Sequence, residues 1–265
     1  MPLPREHGAW GLLLQPFVAS VILARQLDWL LLPALALALL GFVLREPLVI
    51  LSRQRWVWRT RNPQTSSAAR WVVWESAGIL LCLLIIGRHA PLSELLALAG
   101  IALVLILIAV WCAVKNLQRS IALQIVSAAG LGSTALLAAL VLTGTIPAWA
   151  WKLWALLTSH GVATILVVHA RLRLRVAARA SDGGSPRASA FAAQGLQFVV
   201  AAVAVATSAV VVAVPLVFSA LVNTLELLRL SAGRGLTESL TRVGYRTLIV
   251  SLVHMGFAIA VLWAR

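Results

Sequence analysis

Nine long apolar runs, separated by short polar connections, constrain the fold of this chain more than any other feature of its sequence. A helix that crosses a bilayer needs about 20 predominantly apolar residues. Since 61% of the 265 residues are apolar and only 11% are charged, the composition excludes a soluble globular protein. We therefore predict an all-α, polytopic transmembrane bundle of about nine helices, forming a single integral membrane domain over residues 1–265. The runs lie approximately at residues 8–24, 28–44, 71–87, 95–114, 121–143, 152–170, 191–206, 209–230 and 244–263.

Basic residues are concentrated in alternate connections between these runs. With a cytoplasmic N-terminus, 18 of the 22 Lys and Arg residues fall on the cytoplasmic side. Cytoplasmic connections of membrane proteins are enriched in Lys and Arg. We therefore predict a bacterial cytoplasmic membrane protein with its N-terminus inside, its C-terminus outside, and basic cytoplasmic loops at residues 45–70 and 171–190. Topology and anionic lipid account for the net charge of +14, so we expect membrane lipids and not nucleic acid as partners.

The first predicted span begins with an unusual cluster of ionisable residues, in the sequence Pro4-Arg5-Glu6-His7-Gly8-Ala9-Trp10. One interpretation is interfacial anchoring, with the arginine at lipid phosphate and the tryptophan in the aromatic belt. The other is that Glu6 and His7 face inward and line a polar pocket. This segment resembles the opening of the YwiC-like family of bacterial integral membrane proteins. The resemblance is specific over residues 4–17, and it implies a family without implying a reaction.

Polar residues recur at the predicted cytoplasmic ends of the spans, where ionisable side chains are costly and often functional. A local salt bridge or a lipid contact explains any single one. Lipid contact does not explain the acids and amides, and Glu75, one turn into the third span, belongs to this group. We predict a cytoplasm-facing cavity in which acids orient arginines that bind an anionic headgroup. The predicted binding residues are Glu6, Arg45, Glu46, Lys115, Asn116, Arg119, Arg173, Glu226, Tyr245 and Arg246, and the acid–base candidates are His7 and His169.

The predicted helix number and polar cytoplasmic opening are also similar to those of the UbiA-type prenyltransferases. In that family, Asp-rich motifs at the ends of the second and sixth spans hold Mg²⁺ against an isoprenoid diphosphate. Here the corresponding residues, 44–50 and 169–175, contain one acid, Glu46. Since magnesium needs several oxygen ligands, a metal-diphosphate mechanism is not expected. The segment Lys115-Asn116-Leu117-Gln118-Arg119-Ser120 resembles a second signature of the YwiC-like family, although the residues that follow it, Ala122-Leu123-Gln124, differ from the expected acid and Asn.

Two histidines lie near the centres of predicted spans, His160 in the sixth and His254 in the ninth. A histidine in this position is typically neutral and bonded to a carbonyl or hydroxyl of a neighbouring helix, with proton relay or haem ligation as alternatives. Nothing repeats at the spacing of paired haem ligands, so haem is not expected. Two functional hypotheses remain. The protein is either an enzyme acting on an anionic lipid or isoprenoid, or a transporter or non-catalytic lipid-binding scaffold.

Overall fold

The computed structural model describes residues 7–59, 64–118, 120–180, 188–206 and 210–263. These residues form ten α-helices and one π-helical turn, with no β-strand among them. The predicted all-α class is thus confirmed. The helices are α1 (His7–Ala24), α2 (Leu31–Arg53), α3 (Gln64–Gly87), α4 (Leu92–Val114), α5 (Ile121–Gly132), α6 (Thr134–Thr143), α7 (Ala148–Ala180), α8 (Ala188–Ala206), α9 (Val210–Ser231) and α10 (Leu240–Trp263), and the π-helical turn at Gln54–Trp58 follows α2.

The ten helices correspond to the nine predicted spans because α5 and α6 together make one of them. Ser133 separates the two helices, and its hydroxyl is bonded to the carbonyl of Gly130 at 2.6 Å. Within the described residues, seven helical segments are long and apolar enough to cross a membrane, and two more, Gly8–Ala24 and Ala190–Ala206, are apolar but shorter. The chain is a multi-pass membrane protein.

Two helices run further than their apolar residues predict. Helix α2 continues to Arg53 and α7 to Ala180, so parts of both predicted basic loops are helical. Arginine is a good helix former, and its long side chain can reach the membrane surface from a helix that leaves the hydrocarbon. Hydropathy therefore marks where the apolar part ends and does not mark where the helix ends.

The chain forms two compact units, Met1–Trp154 and Ala155–Arg265. In the first unit α2 packs on α3 and α1 packs on α6. Hydroxyl groups join α1 to α6, since Ser20 Oγ donates to the carbonyl of Ala135 at 2.8 Å and Thr134 Oγ1 to that of Leu13 at 2.7 Å. Such bonds and small residues are the usual means of helix association where the hydrophobic effect is absent.

In the second unit α8 packs on α9, and α9 packs on α10. One end of this unit has an apolar core that contains residues of α7, α8 and α9, among them Leu174, Ala190 and Leu227. The connection between α9 and α10, residues 232–239, contains two glycines with positive φ, Gly233 and Gly235. Those glycines let the connection fold back over the ends of the helices, because glycine adopts positive φ without steric cost.

Candidate functional site

The centre of the candidate site is Arg171 of α7, whose side chain is only 1% exposed. Its Nη2 donates to Glu226 Oε1 of α9. Its Nη1 donates to the backbone carbonyl of Gly235 at 2.9 Å and lies 3.5 Å from Glu238 Oε2. A buried guanidinium is tolerated only when its charge is paired and its hydrogen bonds are satisfied. The connection between α9 and α10 therefore completes the environment that Arg171 requires.

Two more arginines bond the same two carboxylates, and a third bonds the backbone of the connection between α9 and α10. Arg246 of α10 donates from Nη2 to Glu226 Oε1 at 2.6 Å, and its Nη1 lies 3.4 Å from Glu238 Oε2. Arg229 Nη2 donates to Glu238 Oε1 at 2.6 Å. Arg175 donates to the backbone carbonyls of Leu236 and Glu238. We call this group the arginine cage; it consists of Arg171, Arg175, Arg229, Arg246, Glu226 and Glu238, and its formal charge is +2.

A cavity of about 290 Å³ opens beside the arginine cage, between α7, α9 and α10. Arg171, Glu226, Arg229 and Arg246 line one end of it. Most of the remaining lining is apolar, with three polar side chains among valines and one leucine. These residues are Thr164, Val167, Val168, Val222, Asn223, Leu225, Val243, Thr247 and Val250. The cavity thus combines a cationic end with an apolar wall.

Glu238 is the one member of the arginine cage that lies outside the helices, in the connection between α9 and α10. Burial acts to raise the pKa of its carboxyl, but the guanidinium groups of Arg246, Arg229 and Arg171 together hold that pKa below its ordinary value of 4.5. A lowered pKa means that the folded state favours the ionised carboxylate. Glu238 is therefore ionised at neutral pH and ties the connection to three helices.

This shift predicts an acid-dependent loss of stability. Because the pKa of Glu238 is lower in the folded than in the unfolded protein, its contribution is complete above pH 4.5 and is lost as the pH falls further, through the folded-state pKa. We expect the Tm of the purified protein to fall more steeply below pH 4.5 than that of Glu238→Gln. Thermal unfolding followed by tryptophan fluorescence across this range measures the difference. Parallel pH profiles for the two proteins would contradict the assignment.

Of the residues predicted from sequence for the second unit, the structure brings Glu226 and Arg246 together in the cage. Arg173 is exposed and lies outside the cavity lining, because two positions along a helix turn a side chain by about 200° away from Arg171. Tyr245 is exposed, and His169 is half-buried; neither lines the cavity.

The predicted residues of the first unit have other surroundings. Arg45 and Glu46 are half-buried on α2. The ammonium group of Lys115 lies 5.1 Å from the ring centroid of Trp111, and Asn116 adopts a φ of 58° and accepts a hydrogen bond from Arg53 Nη2 at 2.7 Å. Glu6, Arg119 and the side chain of His7 lie outside the described residues.

Sequence reasoning missed two central members of the cage, Arg171 and Glu238. Arg171 was counted only as a basic residue of a cytoplasmic loop. Its spacing of four from Arg175 places both on one helix face, and that signal could have separated them from Arg173. Glu238 follows a Gly-Arg-Gly turn among basic residues, where a lone acid indicates pairing.

The two mid-span histidines stack on each other, with ring centroids 4.4 Å apart and planes inclined by 14°. His160 bonds the hydroxyl of Ser219 through Nδ1 at 2.8 Å and that of Ser251 through Nε2 at 3.1 Å. His254 Nε2 donates to the carbonyl of Leu156 at 3.2 Å. Each histidine is thus bonded to a hydroxyl or carbonyl of a neighbouring helix, as expected for a histidine near the centre of a span.

The described side chains form no cluster of the kind that ligates a metal ion. Within the ranges that the structure describes, no three His, Cys, Asp or Glu residues converge in a way that could hold a metal ion. The stacked histidines turn their faces, and not a pair of ring nitrogens, toward each other. The polar chemistry of the described residues is therefore dominated by arginine–carboxylate pairing.

Comparison with known proteins identifies a family. No curated protein and no solved structure matches the chain. The model of a family described as YwiC-like protein matches residues 3–139, just over half of the chain. The match includes the N-terminal cluster and the Lys115–Arg119 segment, whereas the arginine cage follows it in the sequence. The chain belongs to the YwiC-like family.

Proposed function

We propose that the cavity of the second unit binds the anionic headgroup of a membrane amphiphile, such as a lipid or isoprenoid phosphate. The observation that supports this most is the convergence of three arginines on two carboxylates at one end of an apolar-walled cavity. Two carboxylates leave the positive charge of the cage incompletely neutralised. An anion with a phosphate group would supply the missing charge, and arginine binds phosphate with two parallel hydrogen bonds.

The exposure of the arginines suggests a division of roles within the cage. Arg171 is enclosed by protein partners, and it holds Glu226 in place. Arg229 and Arg246 are 44% and 37% exposed, so each retains donors that can reach a ligand. In our proposal the buried arginine organises the carboxylates, the carboxylates orient the two exposed arginines, and those two contact the anion.

The size of the cavity limits how much of an amphiphile it can hold. Sites that enclose drug-sized ligands have volumes of about 300–1,000 Å³. At about 290 Å³, this cavity suits a headgroup and the first carbons of a chain, which the valines of its wall would contact. The rest of the chain would remain among the lipids.

The chemistry of the lining favours binding over reaction. Glu226 is the one carboxylate among the lining residues, and its Oε1 already accepts from two arginines. The one carboxylate of the described lining is thus already held in an ion pair with two arginines, and no second carboxylate of the lining is placed to act as a general base. We therefore propose a binding or transport function, with modification of the bound amphiphile as the alternative outcome of the experiment below.

The proposal includes a position for the site in the cell. The distribution of 18 of the 22 basic residues supports a bacterial cytoplasmic membrane location with the N-terminus inside. In this orientation the cage faces the cytoplasmic leaflet. Anionic lipids are concentrated there, and their surface potential attracts basic groups.

The experiment is native mass spectrometry with lipid analysis on the full chain, extracted gently from its own membrane. We expect an anionic amphiphile to co-purify and to be lost from the double variant Arg229→Gln, Arg246→Gln. Loss of one hydrogen bond to a charged group costs about 1.5–3 kcal/mol, so each substitution should weaken binding by about tenfold or more. Titration with inorganic phosphate shows whether the headgroup alone competes.

The matched control removes two positive charges from the same region without touching the cage. Arg234 and Arg242 are exposed, and neither side chain contacts Glu226 or Glu238 in the described structure. The double variant Arg234→Gln, Arg242→Gln should retain the amphiphile. Equal loss in both double variants would reduce the effect to general attraction of anionic lipid, and no loss in either would refute the proposal. A chemically altered amphiphile that accumulates with the wild-type protein alone would favour the enzyme.

A further inference from the structure

Glu75 of α3 is an acid of the first unit that the arginine cage does not use. Its side chain is 2% exposed, and neither Oε1 nor Oε2 has a hydrogen-bond partner in the part of the chain that the structure describes. Buried polar side-chain atoms of native proteins nearly always have a partner. A carboxyl group with two unsatisfied oxygens inside a membrane-spanning helix is therefore a functional candidate by itself.

The packing of α2 against α3 shows which residues of α2 lie at the level of this carboxyl. Thr65 Oγ1 donates to Gln54 Oε1 at 2.6 Å, and a Cβ at Gly78 would lie 2.8 Å from Leu40 Cδ1. These two pairs establish an antiparallel register in which Glu75 is level with Val43.

Val43 is buried in an apolar cluster with Phe42 of the same helix and with Ala9 and Leu13 of α1. The nearest charged residues of α2 in this register are Arg45 and Glu46, both half-buried and both engaged in other interactions of their own. On α3 the nearest is Arg70, which is exposed. The described parts of α1 and α4 carry no charged side chain at this level.

The energetics separate the two protonation states of Glu75. An ionised carboxylate in such surroundings, with no hydrogen bond, carries a desolvation penalty of several kcal/mol. A neutral carboxylic acid avoids the charge and leaves unsatisfied only ordinary polar groups, each costing about 1–3 kcal/mol. The neutral state is therefore the one that this fold accommodates.

We propose that Glu75 is a proton-binding site in the membrane-spanning part of the first unit, occupied by a proton at neutral pH. The site is independent of the anion site in the second unit. Its ligand is the proton itself, carried on a buried carboxyl of α3, the helix that packs on α2. Proton release requires a polar partner or water to reach the two oxygens, neither of which has a hydrogen-bond partner in the described structure.

A membrane-soluble carbodiimide tests the proposal because it reacts with protonated carboxyl groups in apolar surroundings. The acid proton moves to a carbodiimide nitrogen, the carboxyl oxygen bonds the central carbon, and the acyl group then shifts to nitrogen. No atom leaves, so the labelled peptide gains the mass of one reagent. We expect labelling of Glu75 in native membranes, with a yield that falls as the pH is raised.

Two variants and one spectrum make the test decisive. Glu75→Gln should lose the label. Glu94→Gln is the control and should keep the label on Glu75, because the Glu94 carboxylate accepts a hydrogen bond from the backbone N–H of Ile146 at 2.9 Å and is not the expected site of reaction. The infrared carbonyl band of a protonated carboxylic acid should be present in the wild type at neutral pH and be lost in Glu75→Gln. If that variant fails to fold, peptide mapping of the labelled wild type decides. An unlabelled Glu75 in the wild type, or a carboxylate spectrum at neutral pH, would overturn the proposal.

Discussion

Replacing Glu226 with alanine is expected to lower the free energy of unfolding by about 3–5 kcal/mol, the usual cost of removing one partner from a buried ion pair. Glu226 Oε1 accepts from both Arg171 and Arg246, and Arg171 has almost no exposure to solvent. After the substitution, Arg171 keeps the Gly235 carbonyl and the more distant Glu238 carboxylate. Unfolding in mixed micelles by a denaturing detergent, followed by tryptophan fluorescence, measures the loss.

Two comparisons show whether the loss comes from an unpaired buried charge. Arg173→Ala removes an exposed arginine two positions after Arg171 on α7 and should change the free energy of unfolding by no more than about 0.5 kcal/mol. The double variant Arg171→Met, Glu226→Leu removes the charge together with its partner, and should be more stable than Glu226→Ala, since apolar replacement of a buried pair is often neutral. A double variant less stable than Glu226→Ala would show that the pair itself stabilises the unit.

The second large effect is expected for His160→Ala, at about 2–5 kcal/mol, the range for large-to-small substitutions in a core. The side chain of His160 is 3% exposed, stacks on His254, and bonds two serines. Alanine leaves a cavity and removes the partner of both hydroxyls. The same detergent unfolding experiment measures the change.

The control for His160 is Ser251→Ala, which removes one of the two hydroxyl partners and leaves the stacked rings in place. A single hydrogen bond contributes about 1 kcal/mol, so this variant should lose much less stability than His160→Ala. If the two variants lose the same amount, the ring stacking and the volume of His160 contribute nothing, and its role reduces to one hydrogen bond.

Apolar patterning predicted the helices well because the membrane imposes one requirement on every span. A span of about 20 apolar residues is needed whatever packs against it, so helix number can be read without tertiary information. The ends of α2 and α7 were harder to predict, since hydropathy falls at the first arginine although the helix continues to Arg53 and Ala180. The break at Ser133 has no strong signal in the apolar pattern.

The candidate site was predictable only in part because its residues meet through a turn in the backbone. Glu226 and Arg246 could be predicted from their places at the ends of spans. Glu238 reaches the cage through a connection that depends on positive φ at Gly233 and Gly235, and the direction of such a turn follows from packing. The burial that distinguishes Arg171 from the exposed Arg173 likewise depends on the helices that surround α7.

Helix α7 also sets the distance along its axis between the stacked histidines and the arginine cage. His160 and Arg171 are eleven positions apart on one continuous helix, so they are separated by about 16 Å along its axis. The hydrocarbon core of a bilayer is about 30 Å thick. If the arginine cage lies at the headgroup level, as the proposed function requires, the stacked histidines lie close to the bilayer midplane, and one helix sets the distance between these two polar groups.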